Sequence, residues 1–360
     1  MAPKFPRYIW QNGRMVPGES ATVHVLSHAL HYGSSVFEGI RAYETPNGTM
    51  IMRGMDHMKR LDYSARVYRM PMNYSVEELH AAMRETIRDS GLKSAYIRPI
   101  ISRGNCGLGV IPKDMSIVDT AIMVAPWGAY LGEDGVKNGI KACITSWHRL
   151  APNTMPPGVK AGGNYLVSQL IGLEARDRGF VEGIGLGTDG LLSEGAGENI
   201  FLVQKGRLLP PPASAMILSG ITRDAVITLA AHMGLETVEQ TIAREQMYAA
   251  DEIFMTGTAA EVTPVRQVDH PDPGPGAVVD IESCFGGVDA EVGGAGADRD
   301  VTDAGRSQVD RRERQAAEQV VQHGRRLRAF LREETVVFGR RLHPGVGQQF
   351  EVPESRARIG

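Results

Sequence analysis

The sequence predicts an α+β protein built as two domains, and three observations predict it. The chain has 360 residues, 42% of them hydrophobic, enough to fill a large core divided between two bodies. Short alternating runs are mixed with apolar stripes at helical spacing on both sides of the chain's middle. Between them lies a breaker-rich stretch containing Gly128, Gly132, Gly135 and Gly139, which reads as an interdomain connection. The expected boundaries are a small α+β domain over 1–127, a loop over 128–135, a larger domain over 136–270 and a divergent tail over 271–360.

The elements follow in chain order. "YIWQNGRMV" reads as strand, Asn-Gly turn and strand. "MDHMKRLDYSARVYRM" places Met55, Met58, Leu61, Ala65 and Tyr68 on one helical stripe, with Arg60 and Arg66 off it and Pro71 as the stop. "IKACITSW" opens the second domain as a strand. Leu166, Leu170 and Leu173 recur at helical spacing, and Gly179 ends that helix. "GIGLGTDGLLSEG" and "ENIFLVQKGRLLP" read as strands joined by turns. "SGITRDAVITLAAHMG" is a helix closed by Gly234, and "DEIFMTGTAAEVTPVRQV" supplies two strands around a Thr-Gly-Thr turn. After Asp269 the chain has no Lys, Asn, Tyr, Trp or Met and shows neither period. Two readings of this tail stand, an out-of-frame translation of GC-rich DNA and a variable or disordered extension.

A net charge of −3 gives no field suited to nucleic acid or an anionic membrane, so small-molecule chemistry is expected. Three separated cysteines, Cys106, Cys143 and Cys284, form neither a disulfide framework nor a zinc pattern. The N-terminus shows no apolar leader, and no window approaches the roughly 20 apolar residues of a membrane span. A cytoplasmic protein without a metal is expected. Gly185 to Gly190 fits G-x-G-x-x-G, but no helix opens after it, as dinucleotide binding requires. His24, His28 and His31 are read as structural.

The chemistry concentrates in a few segments. Lys160 lies among Gly158, Gly162 and Gly163 at the entrance to a helix, followed by Tyr165. Those glycines admit a flat ligand close to the backbone, and a lysine amine is a nucleophile where its charge is suppressed. The ordinary alternative is a solvated loop lysine. Glu194, enclosed between apolar runs, needs a cationic partner, because an unpaired buried charge is costly. A protonated pyridine nitrogen is one such partner; a turn-capping role is the alternative, and Glu198 and Asn199 compete for the same reading. "SGITRD" offers free helix N–H groups and the Thr222 hydroxyl to an anion, or a plain N-cap. Thr256, Thr258 and Ala259 add hydroxyl and amide donors, and Arg60 adds a charge.

In the order lysine, tyrosine, glutamate, helix N-terminus and Thr-Gly-Thr turn, with the blocks "FEGIRAY", "RLDYSARVYRM", "YIRPIISRG", "KAGGNYLVSQL", "GTDGLLSEGAGENIFLV", "SGITRDAV" and "ADEIFMTGTAAEVTPV", the chain closely resembles the branched-chain amino-acid aminotransferases of the class IV (fold type IV) pyridoxal-phosphate enzymes. The resemblance runs from about Tyr8 to Asp269. It implies a small α/β domain beside a larger pseudo-barrel β domain with helices, and a homodimer or higher homo-oligomer. It further implies that Lys160 is bonded to pyridoxal 5'-phosphate and carries the proton between substrate Cα and cofactor C4', with Tyr165 on the cofactor O3' and Glu194 on the ring nitrogen. Arg60, Gly197, Ile221, Thr222 and Thr258 complete the cofactor set. Substrate residues implied in the same way are Tyr96, Thr258 and Ala259 for the α-carboxylate, and Phe37, Gly39, Trp127 and Tyr130, with Tyr32 and Val110 from a neighbouring subunit, for the side chain. Arg98 would receive the side-chain carboxylate of glutamate.

The expected reaction is therefore exchange of the amino group between Leu, Ile or Val and 2-oxoglutarate, giving branched-chain 2-oxo acids and L-glutamate. "YIRP" and "GLGV" favour this group over the D-amino-acid aminotransferases and the aminodeoxychorismate lyase of the same fold. A relative that binds the cofactor without turnover is the reading from another class. The resemblance stops at "HPDPGPGAVVD", where the family's closing segment is not matched.

Overall fold

A computed structural model describes residues 6–46, 48–128, 131, 135, 138–269 and 350–351; Tyr130 and the tail over 271–349 and 352–360 lie outside them. The first hairpin joins β1 (Tyr8–Gln11) to β2 (Arg14–Pro17) through Asn12 and Gly13. Both turn residues have positive φ, 48° and 90°, as a two-residue hairpin requires. After the short α1 (His28–Tyr32) come β3 (Ser35–Phe37), β4 (Ile40–Thr45) and β5 (Gly48–Met52). Two longer helices follow, α2 (Gly54–Val67) and α3 (Val76–Ser90), then β6 (Ala95–Arg103) and β7 (Val118–Ala125).

These strands make one antiparallel sheet in the order β5-β4-β6-β7-β1-β2, with β3 also on β6 and a two-residue strand, Phe350–Glu351, on the outer edge of β5. β7 alternates in and out along its whole length and β6 does so from Ile97 onward. Their inward residues Ile97, Ile101, Ile122 and Val124 pack against Met58, Leu61 and Ala65 of α2 and Leu79, Met83 and Ile87 of α3. The expected α2 stripe is thus the buried face. The helix stops at Val67, ahead of Pro71, because Arg69 turns to a φ of 53°. α3 starts on a capping box, Ser75 and Glu78 each satisfying the other's backbone N–H.

The second sheet is built from β8 (Ile140–Ile144), β9 (Glu182–Leu186), β10 (Leu192–Gly195), β11 (Asn199–Gln204), β12 (Arg207–Leu209), β13 (Glu252–Gly257) and β14 (Glu261–Val268), in the order β10-β9-β8-β14-β13-β11-β12. β8 pairs in parallel with β9 and β14, while the remaining pairs are antiparallel. The G-x-G-x-x-G stretch is the end of β9 and a turn into β10. Three helices accompany this sheet: α4 (Tyr165–Asp177), α5 (Ile221–His232) and the short α6 (Arg244–Tyr248). Val226 and Ala230 of α5 pack on Phe201 and Phe254, whose rings stack at 4.9 Å. Gly234, at φ 73°, closes α5 as expected.

α4 forms where the leucine spacing placed it, but its leucines do not make the buried face. Its buried residues are Ser168, Ile171 and Ala175, while Leu166, Leu170 and Leu173 face outward, Leu166 at 64% exposure. Glycine at 183 lets α4 lie directly on β9, where a Cβ would come within 2.8 Å of the Ile171 carbonyl oxygen. Close approach, rather than hydropathy, chooses the buried face.

Candidate active site

Lys160, Tyr165, Glu194, Arg60 and the start of α5 lie where the two sheets meet. Lys160 is held by the first sheet although the elements on either side of it in the chain, β8 and α4, belong to the second. Val159 and Ala161, each 2% exposed, are part of the core under α2. Ala161 bridges to Val36 of β3, the Lys160 carbonyl accepts from Phe37 N–H at 3.0 Å, and the Lys160 N–H donates to Ser64 Oγ at 3.2 Å. With its backbone pinned on three sides, the side chain projects to Tyr165, Nζ to OH 2.7 Å, above the Phe37 ring at 5.0 Å. Gly162 and Gly163 serve close backbone approach: a Cβ on Gly162 would meet Ser35 Oγ at 2.4 Å, and one on Gly163 would meet Met155 Cε at 3.0 Å.

Glu194 ends β10 and is 4% exposed. It has a cationic partner within the chain: Arg149 Nη2 donates to Oε1. Oε2 accepts from Asn199 Nδ2 at 2.9 Å and Leu218 N–H at 3.0 Å. Burial pushes the Glu194 carboxyl up, and Arg149, the Leu218 amide and Lys160 oppose that push. Gly220 makes the arrangement feasible, since a Cβ there would fall 1.9 Å from Asn199 Oδ1.

Arg60 reaches the start of α5. Its Nη1 donates to the Ser219 carbonyl at 2.8 Å, one residue before Gly220, the N-cap of α5. The guanidinium is also gripped by Glu38, with Nε to Oε1 2.6 Å and Nη2 to Oε2 2.7 Å, and His57 Nδ1 lies 2.7 Å from the same Oε2. Glu38 is fully buried; burial pushes its pKa up, but Arg60 and His57 outweigh that and hold it well below the usual carboxylate range. Burial holds the His57 imidazole down against the pull of Glu38. Arg53 adds a second tie to the same helix, pairing with Asp224 at 2.5 Å. Ile221 and Thr222 therefore present first-turn N–H groups beside a guanidinium. Thr258 and Ala259, half-buried, form the turn between β13 and β14.

A wall of rings and one arginine stands on the first sheet. Tyr96 stacks on Trp127 at 4.4 Å, and its OH accepts from Arg98 Nη2 at 2.8 Å. The Arg98 guanidinium lies 4.7 Å over Phe37, and its Nε is buried with no hydrogen-bond partner among the described residues. Gly39 lies against this wall, where a Cβ would come within 2.1 Å of Tyr96 OH. Gly197 is near the site, but its N–H is turned to Glu198 Oε2 at 3.1 Å. Tyr32 and Val110 sit apart on the surface, 44% and 73% exposed. Tyr32 OH donates to Leu108 O at 2.7 Å, and His28 Nε2 meets the carbonyls of Gly109 and Val110, each at 3.1 Å, so His28 is a strut for this loop.

Sequence reasoning missed Glu38, His57, Arg149 and the role of Asn199. The available signal was a charged residue inside an otherwise apolar run, Glu38 in "SVFEGI" and Arg149 in "SWHRLAP", each of which must find an opposite charge if buried.

An amine on a pinned loop, a buried carboxylate and a helix N-terminus with an arginine are the groups a phosphorylated pyridine aldehyde would require. This constellation defines the class. The family model for class IV amino-transferases matches residues 35–268, and the chain belongs to that family, whose cofactor is pyridoxal 5'-phosphate. Among its relatives, a branched-chain-amino-acid aminotransferase of Escherichia coli K12 is 54% identical over 269 residues, 75% of this chain and 87% of the relative. The crystal structure of the Escherichia coli branched-chain enzyme superposes with a TM-score of 0.74 at 51% identity, covering 79% of this chain and 94% of that one. The T.th. branched-chain aminotransferase has been solved with pyridoxamine 5'-phosphate, at 44% identity and a TM-score of 0.72. It has also been solved with N-(5'-phosphopyridoxyl)-L-glutamate, at 42% and 0.71. Each of these two covers 78% of this chain and 94% of its own.

Proposed function

We propose that this chain is a branched-chain-amino-acid transaminase, exchanging the amino group between L-Leu, L-Ile or L-Val and 2-oxoglutarate at the site around Lys160. The observation that carries the reading is the convergence of Lys160, Tyr165, Glu194 and the α5 N-terminus with Arg60 at one place. When bound, the cofactor supplies an aldehyde for the substrate amine and a ring that accepts electrons from Cα. Lys160 Nζ holds and moves the proton at Cα, and Tyr165, 2.7 Å away, steadies the amine. Glu194 holds a proton on the ring nitrogen, with Arg149 and Asn199 keeping the carboxylate in place. The Ile221 and Thr222 amides, Arg60 and Thr258 bind the phosphate. Tyr96, Thr258 and Ala259 orient the α-carboxylate, while Phe37, Gly39 and Trp127 exclude water from an apolar side chain. Tyr130, outside the described residues, belongs to the same set by family pattern. Arg98, with an unpartnered buried Nε, takes the second carboxylate of glutamate, in keeping with the phosphopyridoxyl-glutamate complex of the T.th. relative.

A homo-oligomer of at least two chains is the supported assembly. Exposed Leu108, Val110 and Ile111 on the loop braced by His28 and Tyr32 form an apolar prong suited to a second copy's side-chain pocket. The two sheets, each with its own core, support domains over 1–127 and 136–270 joined by 128–135. No helix among the described residues is long and apolar enough to cross a membrane. The free, buried thiols Cys106 and Cys143 favour a reducing cytoplasm. Borohydride treatment of the cofactor-saturated protein, followed by peptide mass mapping, tests the reading: the phosphopyridoxyl mass must fall on Lys160, and its absence there rejects the assignment.

A further inference from the structure

Two carboxylates behind the site are not used by the mechanism. Glu182 begins β9 and Glu198 precedes β11; they are 6% and 4% exposed. They approach the same turn from two elements: Glu182 Oε1 accepts from the Gly183 N–H at 2.8 Å and the Ala196 N–H at 3.4 Å, and Glu198 Oε2 accepts from the N–H of Gly197 at 3.1 Å. The Ala196 N–H is shared, since it also donates to the Gly183 carbonyl at 3.1 Å, so the amides of one short turn are divided between the two carboxyl groups. No Lys, Arg or His among the described residues forms an ion pair with either. Besides burial, the charges of Glu182 and Glu194 push Glu198 up and Lys160 pulls it down without an ion pair; Arg149 is engaged with Glu194, and burial and the Glu182 charge also raise the Cys143 thiol on β8. Two adjacent buried carboxylates without a cation do not both ionise. Burial pushes Glu198 well above the usual range and the Glu182 charge adds to it; burial likewise raises Glu182 against its two amide bonds.

The turn they brace has a purpose. It joins Glu194 at the end of β10 to Asn199 at the start of β11, and these two residues are bonded to each other across it. It also packs on the turn after β13, since a Cβ on Gly257 would lie 3.5 Å from Glu198 Cγ. We propose that Glu182 and Glu198 share one proton and act as a positioning pair, fixing the 195–198 turn so that Glu194 meets the cofactor ring. The neutral member leaves Glu194 as the one carboxylate whose charge is matched to Arg149. The positioning role rests on the function proposed for Glu194, whereas the shared proton does not.

Infrared difference spectra of the cofactor-free protein, Glu198→Gln minus wild type, test the proton. A protonated-carboxyl stretch present in wild type at neutral pH and missing from the variant is expected; a wild-type spectrum without that stretch, or its persistence in the variant, overturns the proposal. Denaturant unfolding across pH adds a second reading. A carboxyl raised in the folded state loses its stability contribution as pH rises from the unfolded value toward the folded one, so Glu198→Gln should gain on wild type with rising pH, and a difference that stays flat refutes the shared proton. For the positioning role, Glu198→Ala should weaken pyridoxal 5'-phosphate binding at least about tenfold, the effect of leaving a buried amide without its acceptor. Glu198→Gln should restore most of that loss. Equal loss in both variants, with Lys160 still labelled by borohydride, overturns the positioning role while leaving the proposed function intact.

Discussion

Replacing Glu38 with Gln isolates the ion cluster that ties α2 to α5. The carboxylate receives two Arg60 bonds of 2.6 and 2.7 Å and one His57 bond of 2.7 Å. The amide keeps one acceptor and turns its NH2 group toward existing donors. Arg60, with a side chain 12% exposed, is left with the Ser219 carbonyl and no counter-charge. Breaking a buried pair from one side costs about 3–5 kcal/mol, which at roughly 2–4 °C per kcal/mol for a chain of this size lowers Tm by about 6–20 °C. The folded carboxylate is held low, so its contribution is present above the unfolded pKa of about 4.3 and is lost as pH falls through the folded value; the gap between variant and wild type should shrink on acidification. Circular-dichroism melts of the cofactor-free protein at several pH values measure both effects, and a pyridoxal 5'-phosphate titration should show weaker binding because Arg60 is released. A drop under about 3 °C, below any buried-pair cost, or a gap indifferent to acid, refutes this account of Glu38.

Two further substitutions probe the substrate wall. Gly39→Ala places a methyl 2.1 Å from Tyr96 OH, which must displace the ring and break its bond to Arg98; a loss of about 1–3 kcal/mol in stability should accompany a fall in kcat/KM for leucine, and an unchanged steady-state profile would show that the ring is not fixed there. Arg98→Met removes the guanidinium 4.7 Å above Phe37 while keeping an apolar chain, so single-turnover spectra should show the leucine half-reaction retained and KM for glutamate raised at least about tenfold, the weight of one charge-assisted pair.

Much of this architecture was legible locally. The β1–β2 hairpin was written in Asn12 and Gly13, the end of α5 in Gly234, and the start of α5 in Ser219 to Thr222, because turn chemistry depends on adjacent residues. What was not legible depends on distant ones. Arg149 and Glu194 are 45 positions apart, and neither one's local context names the other. Glu38 is buried only by the packing of α2, which brings Arg60 and His57 onto it. The inner face of α4 was not legible for a related reason: leucine spacing reports helical period, but which side is buried depends on Gly183 of β9, against which Ile171 packs.

Lys160 is threaded through the first core between Val159 and Ala161, while β8 before it and α4 after it belong to the second sheet. Neither half of the molecule can therefore hold the Lys160 amine in place by itself. A split between the sheets would strand the lysine on one fragment and its backbone supports, Val36, Phe37 and Ser64, on the other, so catalysis and the integrity of the seam between the halves should fail together.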